Sequence, residues 1–287
     1  MVSCSQDEAT ENIIEDDNTE NPIEEEDEND EEEIPTEPNS LKSFTVDKNG
    51  DIYSFYFHYY NNKIDKLAYV NELEEITYYS LEYNSTSHKI EETIKHSVTS
   101  NNTEIDFTDS NNFMDAESSV FHSYHDNNEL HEIAGYGYAY NGGFVSQIMD
   151  TSMFPTTNIF YDASGKIERT ETYEYNQDPG FPQFFEFDSK NNPFFYLFDE
   201  FGLVIDKSLS IPNNGSIPSA INKVLKDAYC ISPYNILEKT EYMQNGIPSY
   251  KVEYTYNNDD YPLEGIFIYD GENQQGIIKY TINFDYY

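Results

Sequence analysis

The fold of this chain is decided by the stretch Tyr250-Lys251-Val252-Glu253-Tyr254-Thr255-Tyr256-Asn257-Asn258-Asp259-Asp260-Tyr261-Pro262-Leu263. Every second residue from Tyr250 to Tyr256 is apolar or aromatic, and polar residues stand between them, which is the period of a strand with one packed face. The Asn and Asp residues that follow tolerate the positive φ of a tight turn. The stretch therefore predicts the two strands and the turn of an antiparallel hairpin.

The same unit occurs seven times in the chain. Each copy has an aromatic strand end, a Tyr or Phe that Asn or Asp usually follows, a short polar turn, and a polar residue before an apolar one. The copies cover residues 59–64, 81–90, 121–130, 138–144, 160–167, 185–193 and 254–263. Their uneven spacing argues against a strict solenoid. We therefore predict an all-β fold, an antiparallel β-meander of repeated hairpins in a curled or barrel-like sheet.

The alternation also predicts which strand faces are covered. From Ile278 to Tyr286 the even-numbered residues are apolar and the odd-numbered ones are polar. Tyr287 shares the polar parity, whereas the last aromatic residue of a membrane-embedded barrel shares the lipid-facing parity. Residues 52–60 are apolar on both faces. We therefore expect a β body that stands clear of a membrane, with the strand at 52–60 covered on both sides.

Two segments depart from the strand pattern. From Ser216 to Asp227 the apolar residues recur at helical spacing, with Ser216 as a suitable N-cap and Pro218 in the first turn. This pattern predicts one short helix near 217–227. The aromatic stretch 194–201 fits a turn of helix and an aromatic loop equally well.

Residues 5–40 have the composition of a disordered acidic tether. Seventeen Asp and Glu residues and no Lys or Arg lie between Asp7 and Glu37. Like charges repel, and little apolar surface is present to offset the loss of chain entropy. A cation-binding acidic tail is the alternative interpretation. The predicted organisation is residues 1–4 as the remnant of a signal, 5–40 as the tether and 41–287 as a single all-β domain.

The body beyond residue 40 is acidic. It keeps all 15 basic side chains and 38 of the 55 acidic ones, and Arg169 is the single arginine. Such a surface repels nucleic acid and offers no bidentate phosphate clamp. No apolar window is long enough for a membrane-spanning helix. Cys230 is the only cysteine besides Cys4, so we expect a buried thiol and not a disulfide.

The segment from Asp47 to Asp51 resembles the start of a calcium-binding loop. Ile52 replaces the glycine of such a loop, and His58 stands where a glutamate closes the site. The Asp-Lys-Asn-Gly order is also typical of a hairpin turn. We therefore predict a turn and no metal site there.

His122, His125 and His131 form the only histidine cluster of the sequence. On a regular strand, residues 122 and 125 point to opposite faces, so these rings converge on a metal only in an irregular segment. The sequence contains no Gly-x-Ser-x-Gly elbow, no phosphate-binding glycine loop and no Cys-x-x-Cys motif. We expect no catalytic residue, no metal and no cofactor.

The chain has 27 tyrosines and no tryptophan. Tyrosine rings stack on sugars, but they also fill the core of a sheet whose edges are wet. The candidates for an exposed aromatic binding patch lie outside the clean alternation, and they are Tyr78, Tyr79, Phe194, Phe195, Tyr196 and Phe198.

The N-terminal residues bear on location. Met1-Val2-Ser3 before Cys4 resembles the end of a bacterial lipobox, in which the cysteine is acylated, and Ser5-Gln6-Asp7-Glu8 is similar to the acidic signal of many surface lipoproteins of Bacteroidota. This resemblance implies a lipid anchor at Cys4 in the outer membrane and exposure at the cell surface of a Gram-negative bacterium of that type. The alternative is that Cys4 is an incidental cysteine in a flexible tail.

The turns of the body suggest a family. The Tyr-Asn and Tyr-Asp turns, with residues 188–194 and 254–262, resemble Bacteroidota lipoproteins with YD-like repeats. They are also similar to a lipoprotein domain of unknown function with a porin-like fold. The resemblance covers most of residues 41–287. It implies architecture and location, and it assigns no catalytic residue.

Three kinds of function follow from these observations. The first is a non-catalytic surface module that binds a glycan or a partner protein, and an exposed aromatic patch favours it. The second is a structural accessory of an outer-membrane complex that docks through an uncovered edge strand. The third is a hydrolase, for which a cleft with converging His and carboxylate groups is needed. The sequence favours the first.

Overall fold

The structure, a computed structural model, describes residues 39–96, 104–151, 156–173, 182–209, 230–241, 248–270 and 277–287. Cys4, nearly all of the predicted tether at 5–40 and the predicted helix near 217–227 lie outside these residues.

In the described ranges, sixteen β-strands form one antiparallel sheet. Each strand pairs with its neighbours in sequence, and the first strand also pairs with the last, so the sheet closes into a barrel. The strands are β1 Leu41–Lys48, β2 Asp51–Tyr60, β3 Lys63–Val70, β4 Ile76–Tyr83, β5 Ile90–His96, β6 Ala116–Tyr124, β7 Leu130–Ile133, β8 Tyr136–Asn141, β9 Phe144–Asp150, β10 Thr156–Tyr161, β11 Ile167–Tyr173, β12 Gln183–Asn191, β13 Tyr234–Glu241, β14 Pro248–Tyr256, β15 Pro262–Asp270 and β16 Ile277–Tyr286. The predicted meander of antiparallel hairpins is confirmed.

The apolar faces of the strands point into the barrel. In β14, Tyr250 and Val252 are buried while Lys251 and Glu253 are exposed, and β16 alternates in the same way from residue 279 to 285. These are the faces that the alternation predicts. The interior is therefore a packed aromatic core, and the outer surface of these two strands is polar.

The seven repeat copies lie at equivalent places in the barrel. Each copy coincides with the connection from an even-numbered strand to the next odd-numbered one. Because neighbouring strands are antiparallel, all seven connections lie at one end of the barrel, which we call the repeat end. One of them, between β12 and β13, is long, whereas the other six are tight turns.

Tyrosines at the repeat end connect consecutive hairpins. Each tyrosine is in an even-numbered strand. Its hydroxyl group donates to a backbone carbonyl near the start of the odd-numbered strand that comes just before it in the chain. The pairs are Tyr59 to Leu41 at 3.1 Å, Tyr83 to Ile64 at 2.7 Å, Tyr124 to Ile90 at 2.6 Å, Tyr161 to Val145 at 2.8 Å and Tyr286 to Pro262 at 2.9 Å. Phenylalanine has no hydroxyl, so this contact accounts for tyrosine before the turns.

Tyr83→Phe is expected to lower the free energy of unfolding by about 1 kcal/mol, because the Ile64 carbonyl loses its hydroxyl donor. Tyr60→Phe is the matched control. Tyr60 is the last residue of β2, as Tyr83 is the last residue of β4, but Tyr60 is 54% exposed. Urea unfolding of both variants measures the difference. An equal effect of the two substitutions would contradict a structural role for the hydroxyl contact.

An outer segment covers part of the barrel wall. Residues 104–113, which include a short 3-10 turn, lie over β2 to β5. The Phe107 ring lies 5.3 Å from the His58 ring, and Lys66 Nζ donates to the Phe107 carbonyl at 3.0 Å. Tyr78 accepts a hydrogen bond from the Asp106 backbone at 3.1 Å. The middle of the strand at 52–60 is therefore covered on both sides, as predicted, whereas Ile52 and Tyr60 at its ends are exposed.

The connection after β12 begins with helical turns. Helix α1, Pro193–Tyr196, continues into one π-helical turn, Leu197–Phe201, and α2, Ile205–Ser208, follows. The Asn192 side chain accepts a hydrogen bond from the first turn at 3.0 Å, and Gly202 ends the π turn with a φ of 75°. The segment for which the sequence pattern left helix and loop open is thus helical. No described helix is long and apolar enough to cross a membrane.

Residues 193–209 pack against the inner face of the barrel, and we call them the plug. The Phe194 ring packs edge-on against Phe44 of β1 with centroids 5.0 Å apart. On another part of the wall, the Tyr79 hydroxyl donates to the Leu209 carbonyl at 3.2 Å. The plug therefore contacts strands that are not neighbours in the sheet. Cys230, which follows in the described chain, is buried as predicted.

Candidate functional site

A cavity of about 400 Å³ opens at the repeat end, between the plug and the turns of neighbouring hairpins. Its volume lies in the range of small-molecule binding pockets. Its walls are Lys89, Tyr124, Asn127, Asn128, Glu129, Leu130, Tyr140, Gly143, Phe144, Val145, Phe195, Phe198, Asp199, Glu200, Gly202, Ile231 and Pro233. The sequence predicts none of this as a single site, because the residues come from five separate stretches of chain.

Aromatic rings form much of the cavity wall. Phe144 lies on the rim, where it is 47% exposed and its ring centroid is 5.1 Å from that of Tyr161. A Cβ atom added to Gly165 would lie 3.5 Å from the Phe144 ring, which is ordinary van der Waals contact, so the ring lies close to this turn. Phe198 enters from the plug, with its ring centroid 6.1 Å from that of Tyr138. The rim ring is therefore held by packing before any ligand arrives.

Amide and carboxylate groups complete the wall. The turn before β7 contributes Asn127, Asn128 and Glu129, and the π turn of the plug contributes Asp199 and Glu200. Asn128 has a φ of 65°, and the backbone of this turn is closed by hydrogen bonds of 2.9 Å. Such groups accept and donate hydrogen bonds to hydroxyl groups.

Lys89 is the one basic residue of the cavity wall. Its Nζ donates to the carbonyls of Asp199 and Glu200, the latter at 2.8 Å. The ammonium group therefore binds main-chain carbonyls of the plug, as cations at the ends of helices do.

The electrostatic field of the cavity is negative. Burial is the main reason that the pKa of Tyr140 is raised above its ordinary value, and the charges of Glu129 and Asp199 raise it further. The Tyr83 hydroxyl, at the same end, has a pKa raised by burial and to a smaller extent by Glu200. An anionic ligand would meet repulsion here.

The aromatic residues that the sequence proposes as a binding patch are distributed over several places. Phe195 and Phe198 line the cavity. Phe194 and Tyr79 are buried inside the barrel, and Tyr78 is buried under the outer segment 104–113. Tyr196 is partly buried against Phe201. The structure brings two of the six to one cavity and does not form one exposed patch from all of them.

The three histidines of the cluster lie in different surroundings. His122 is buried, and its Nε2 lies 3.0 Å from the Thr93 hydroxyl. His125 and His131 pack together with ring centroids 4.5 Å apart. In the part of the chain that the structure describes, no three His, Cys, Asp or Glu side chains are placed to hold a metal ion.

The segment resembling a calcium loop is the turn between β1 and β2, as predicted. Asn49 and Gly50 have φ of 56° and 100°, and the Asp47 carboxylate accepts a hydrogen bond from the Gly50 backbone at 2.7 Å. The acidic and glycine residues there serve the geometry of the turn.

Comparisons with known proteins give only distant likeness. No protein-family model matches the chain, and a search of the curated proteins gave no match. Among solved structures, the chain is similar to a porin-like protein from Bacteroides uniformis at 11% identity, covering 89% of this chain and 100% of that one with a TM-score of 0.41. It is also similar to a porin-like protein from Bacteroides vulgatus at 9% identity, covering 85% and 86% with a TM-score of 0.25. The barrel described above is defined by the strand pairing of this chain and not by these matches.

His122 gives the barrel a pH dependence. Burial lowers its pKa from an ordinary 6.5 to about 4, because a charged ring is poorly solvated inside the barrel. Between these values the unfolded chain binds a proton that the folded chain does not. We therefore expect about 3 kcal/mol of stability, present above pH 6.5, to be lost as the pH falls toward 4.

The measurement compares unfolding free energies of the wild type and His122→Gln across this range. The glutamine keeps a polar group near Thr93 and does not titrate. The difference between the two proteins isolates the histidine from the titration of the many carboxylates. Parallel pH profiles would show that His122 is not responsible.

Proposed function

We propose that the chain is a non-catalytic binding module that takes a glycan in the cavity at the repeat end. The observation behind the proposal is that aromatic rings and hydrogen-bonding groups line one preformed cavity of about 400 Å³. Sugars present an apolar face of C–H groups and a rim of hydroxyl groups, which suits this combination.

The rim residue Phe144 is the best stacking platform in the cavity. Its ring is accessible to solvent, and the Tyr161 ring packs against it. A ring that is already placed loses little conformational entropy when a ligand stacks on it. Asn127 and Asn128 lie on the same cavity wall and can bind hydroxyl groups of the same sugar.

The alternatives have less support from the described residues. A structural accessory that docks by strand pairing needs an uncovered edge, and the described strands pair on both sides in the closed barrel. A hydrolase needs a constellation of catalytic groups, and His122 is buried away from solvent. A concave cavity also suits a sugar better than the broad surface of a partner protein.

The proposed location is the outer membrane, at the cell surface. The support is the resemblance of residues 1–8 to a lipoprotein signal and the acidic composition of the following segment. In this proposal residues 5–40 are the tether, and a chain of about 35 residues without regular structure spans on the order of 30 Å. The polar outer faces of β14 and β16 are consistent with a body in water beyond the lipid.

Binding to an array of oligosaccharides, followed by calorimetry with each positive sugar, tests the proposal. Phe144→Ala is expected to weaken binding about tenfold, which is 1.4 kcal/mol, because the stacking platform is removed. Phe121→Ala is the matched control, since Phe121 is 66% exposed on β6 and does not line the cavity. Absence of any sugar binding, or equal losses in the two variants, would refute the proposal.

A further inference from the structure

We infer that the glycan bound in this cavity has a free amino group, so that the ligand class is a cationic amino sugar. The inference rests on the function proposed above, and it concerns the charge of the ligand. Its basis is that acidic residues outnumber basic ones in the cavity wall, and that the single basic residue, Lys89, binds main-chain carbonyls and not carboxylates.

Three carboxylates, Glu129, Asp199 and Glu200, lie in the wall of the cavity. They come from two different elements, the turn before β7 and the π turn of the plug. The Tyr140 ring stands near two of them, as the effect of Glu129 and Asp199 on its hydroxyl indicates. Two of the three negative charges therefore act on one aromatic residue of the cavity wall.

The basic residue of the wall forms no ion pair with these carboxylates, and its single positive charge leaves the wall with an excess of negative charge. Lys89 donates to the backbone carbonyls of Asp199 and Glu200 and not to their side chains. Within the described ranges, no lysine, arginine or histidine forms an ion pair with Glu129, Asp199 or Glu200. The carboxylates are thus available to a charged ligand.

The aromatic wall favours the same kind of ligand. An ammonium group is attracted to the face of a Tyr or Phe ring within about 6 Å of its centroid. Tyr140, Phe144 and Phe195 contribute rings to the wall that holds the carboxylates. A wall of aromatic faces and carboxylates binds an organic cation better than it binds a neutral hydroxyl group, because both the rings and the carboxylates attract positive charge.

The opposite class of glycan is disfavoured. Uronic acids and sulfated sugars would bring negative charge against the three carboxylates. The body as a whole has 38 acidic and 15 basic side chains, so its long-range field adds to this repulsion. The cavity therefore distinguishes glycans by charge as well as by shape.

Calorimetry with two matched ligands tests the inference. One is a glucosamine oligomer, and the other is the N-acetylated oligomer of the same length and linkage, which has no free amine. At a pH at which the amine is protonated, the glucosamine oligomer is expected to bind the full chain about tenfold more tightly. Glu129→Gln is expected to abolish most of this preference.

The control variant is Glu253→Gln, which removes an exposed carboxylate of β14 outside the cavity. It should leave the preference unchanged, so it separates a local contact from attraction by the total negative charge. Equal affinity for the two oligomers, or equal loss of preference in both variants, would overturn the amino-sugar inference while glycan binding itself stands. If no sugar of any charge binds, the proposed function fails, and the inference fails with it.

Discussion

Phe194→Ala is expected to lower the free energy of unfolding by about 4 kcal/mol. Phe194 is 1% exposed in the first turn of the plug. Its ring lies 5.0 Å from that of Phe44 and 5.8 Å from that of Phe284, between centroids. Removal of the ring deletes these contacts and leaves a cavity where the plug meets β1 and β16, which are the strands that close the barrel.

Urea unfolding of the full chain measures this effect, with Phe121→Ala as the control. Phe121 is 66% exposed, so its truncation should change stability by less than about 0.5 kcal/mol. A loss of less than about 1 kcal/mol for Phe194→Ala would mean that the plug adds little to the stability of the barrel.

Gly202→Ala is expected to cost about 4 kcal/mol, from two sources. Gly202 has a φ of 75°, which a residue with a Cβ adopts at a cost of about 1–2 kcal/mol. An added Cβ would also lie 2.2 Å from the Tyr124 hydroxyl oxygen and 3.1 Å from its ring. Overpacking of this kind adds about 1–3 kcal/mol, because Tyr124 is held by its hydrogen bond to Ile90.

Gly142→Ala separates the two sources. Gly142 has a φ of 64°, but nothing lies within 4 Å of an added Cβ. This control should therefore lose only the backbone contribution of about 1–2 kcal/mol. Thermal or urea unfolding of both variants gives the difference, and equal losses would rule out a close approach of the plug to Tyr124.

The local features of the barrel could be predicted from the sequence. Alternation from Tyr250 to Tyr256 gave the buried face of β14, because a strand repeats every two residues whatever its surroundings. The Asn and Asp residues of the turns gave the hairpin positions for a similar local reason. The apolar character of both faces at 52–60 also predicted an outer covering, although not the segment that supplies it.

The long-range features could not be predicted in the same way. Closure depends on pairing of β1 with β16, which lie at opposite ends of the described chain and have no special local signature. The plug is surrounded by the barrel wall, so its aromatic residues occur on all sides and give no amphipathic period. The patch hypothesis included Tyr78 because it lies outside the clean alternation, whereas residues 104–113 cover Tyr78 in the folded chain.

The candidate cavity could not be predicted from the sequence, for a similar reason. Its wall joins the turn at 127–130 to the plug at 195–202, and no spacing rule connects two such segments. One signal was present, since the repeat copies at 81–90, 121–130 and 138–144 all contribute residues to the cavity wall.

The tyrosine contact between consecutive hairpins has a consequence for how barrels of this type can change in size. The hydroxyl of one unit binds a backbone carbonyl of the unit before it, so the contact does not depend on which side chain the earlier unit contributes. A chain that gained or lost one whole unit would restore the same contact at the new junction. Such a chain would form a barrel wider or narrower by two strands, with a correspondingly different space for whatever fills its interior.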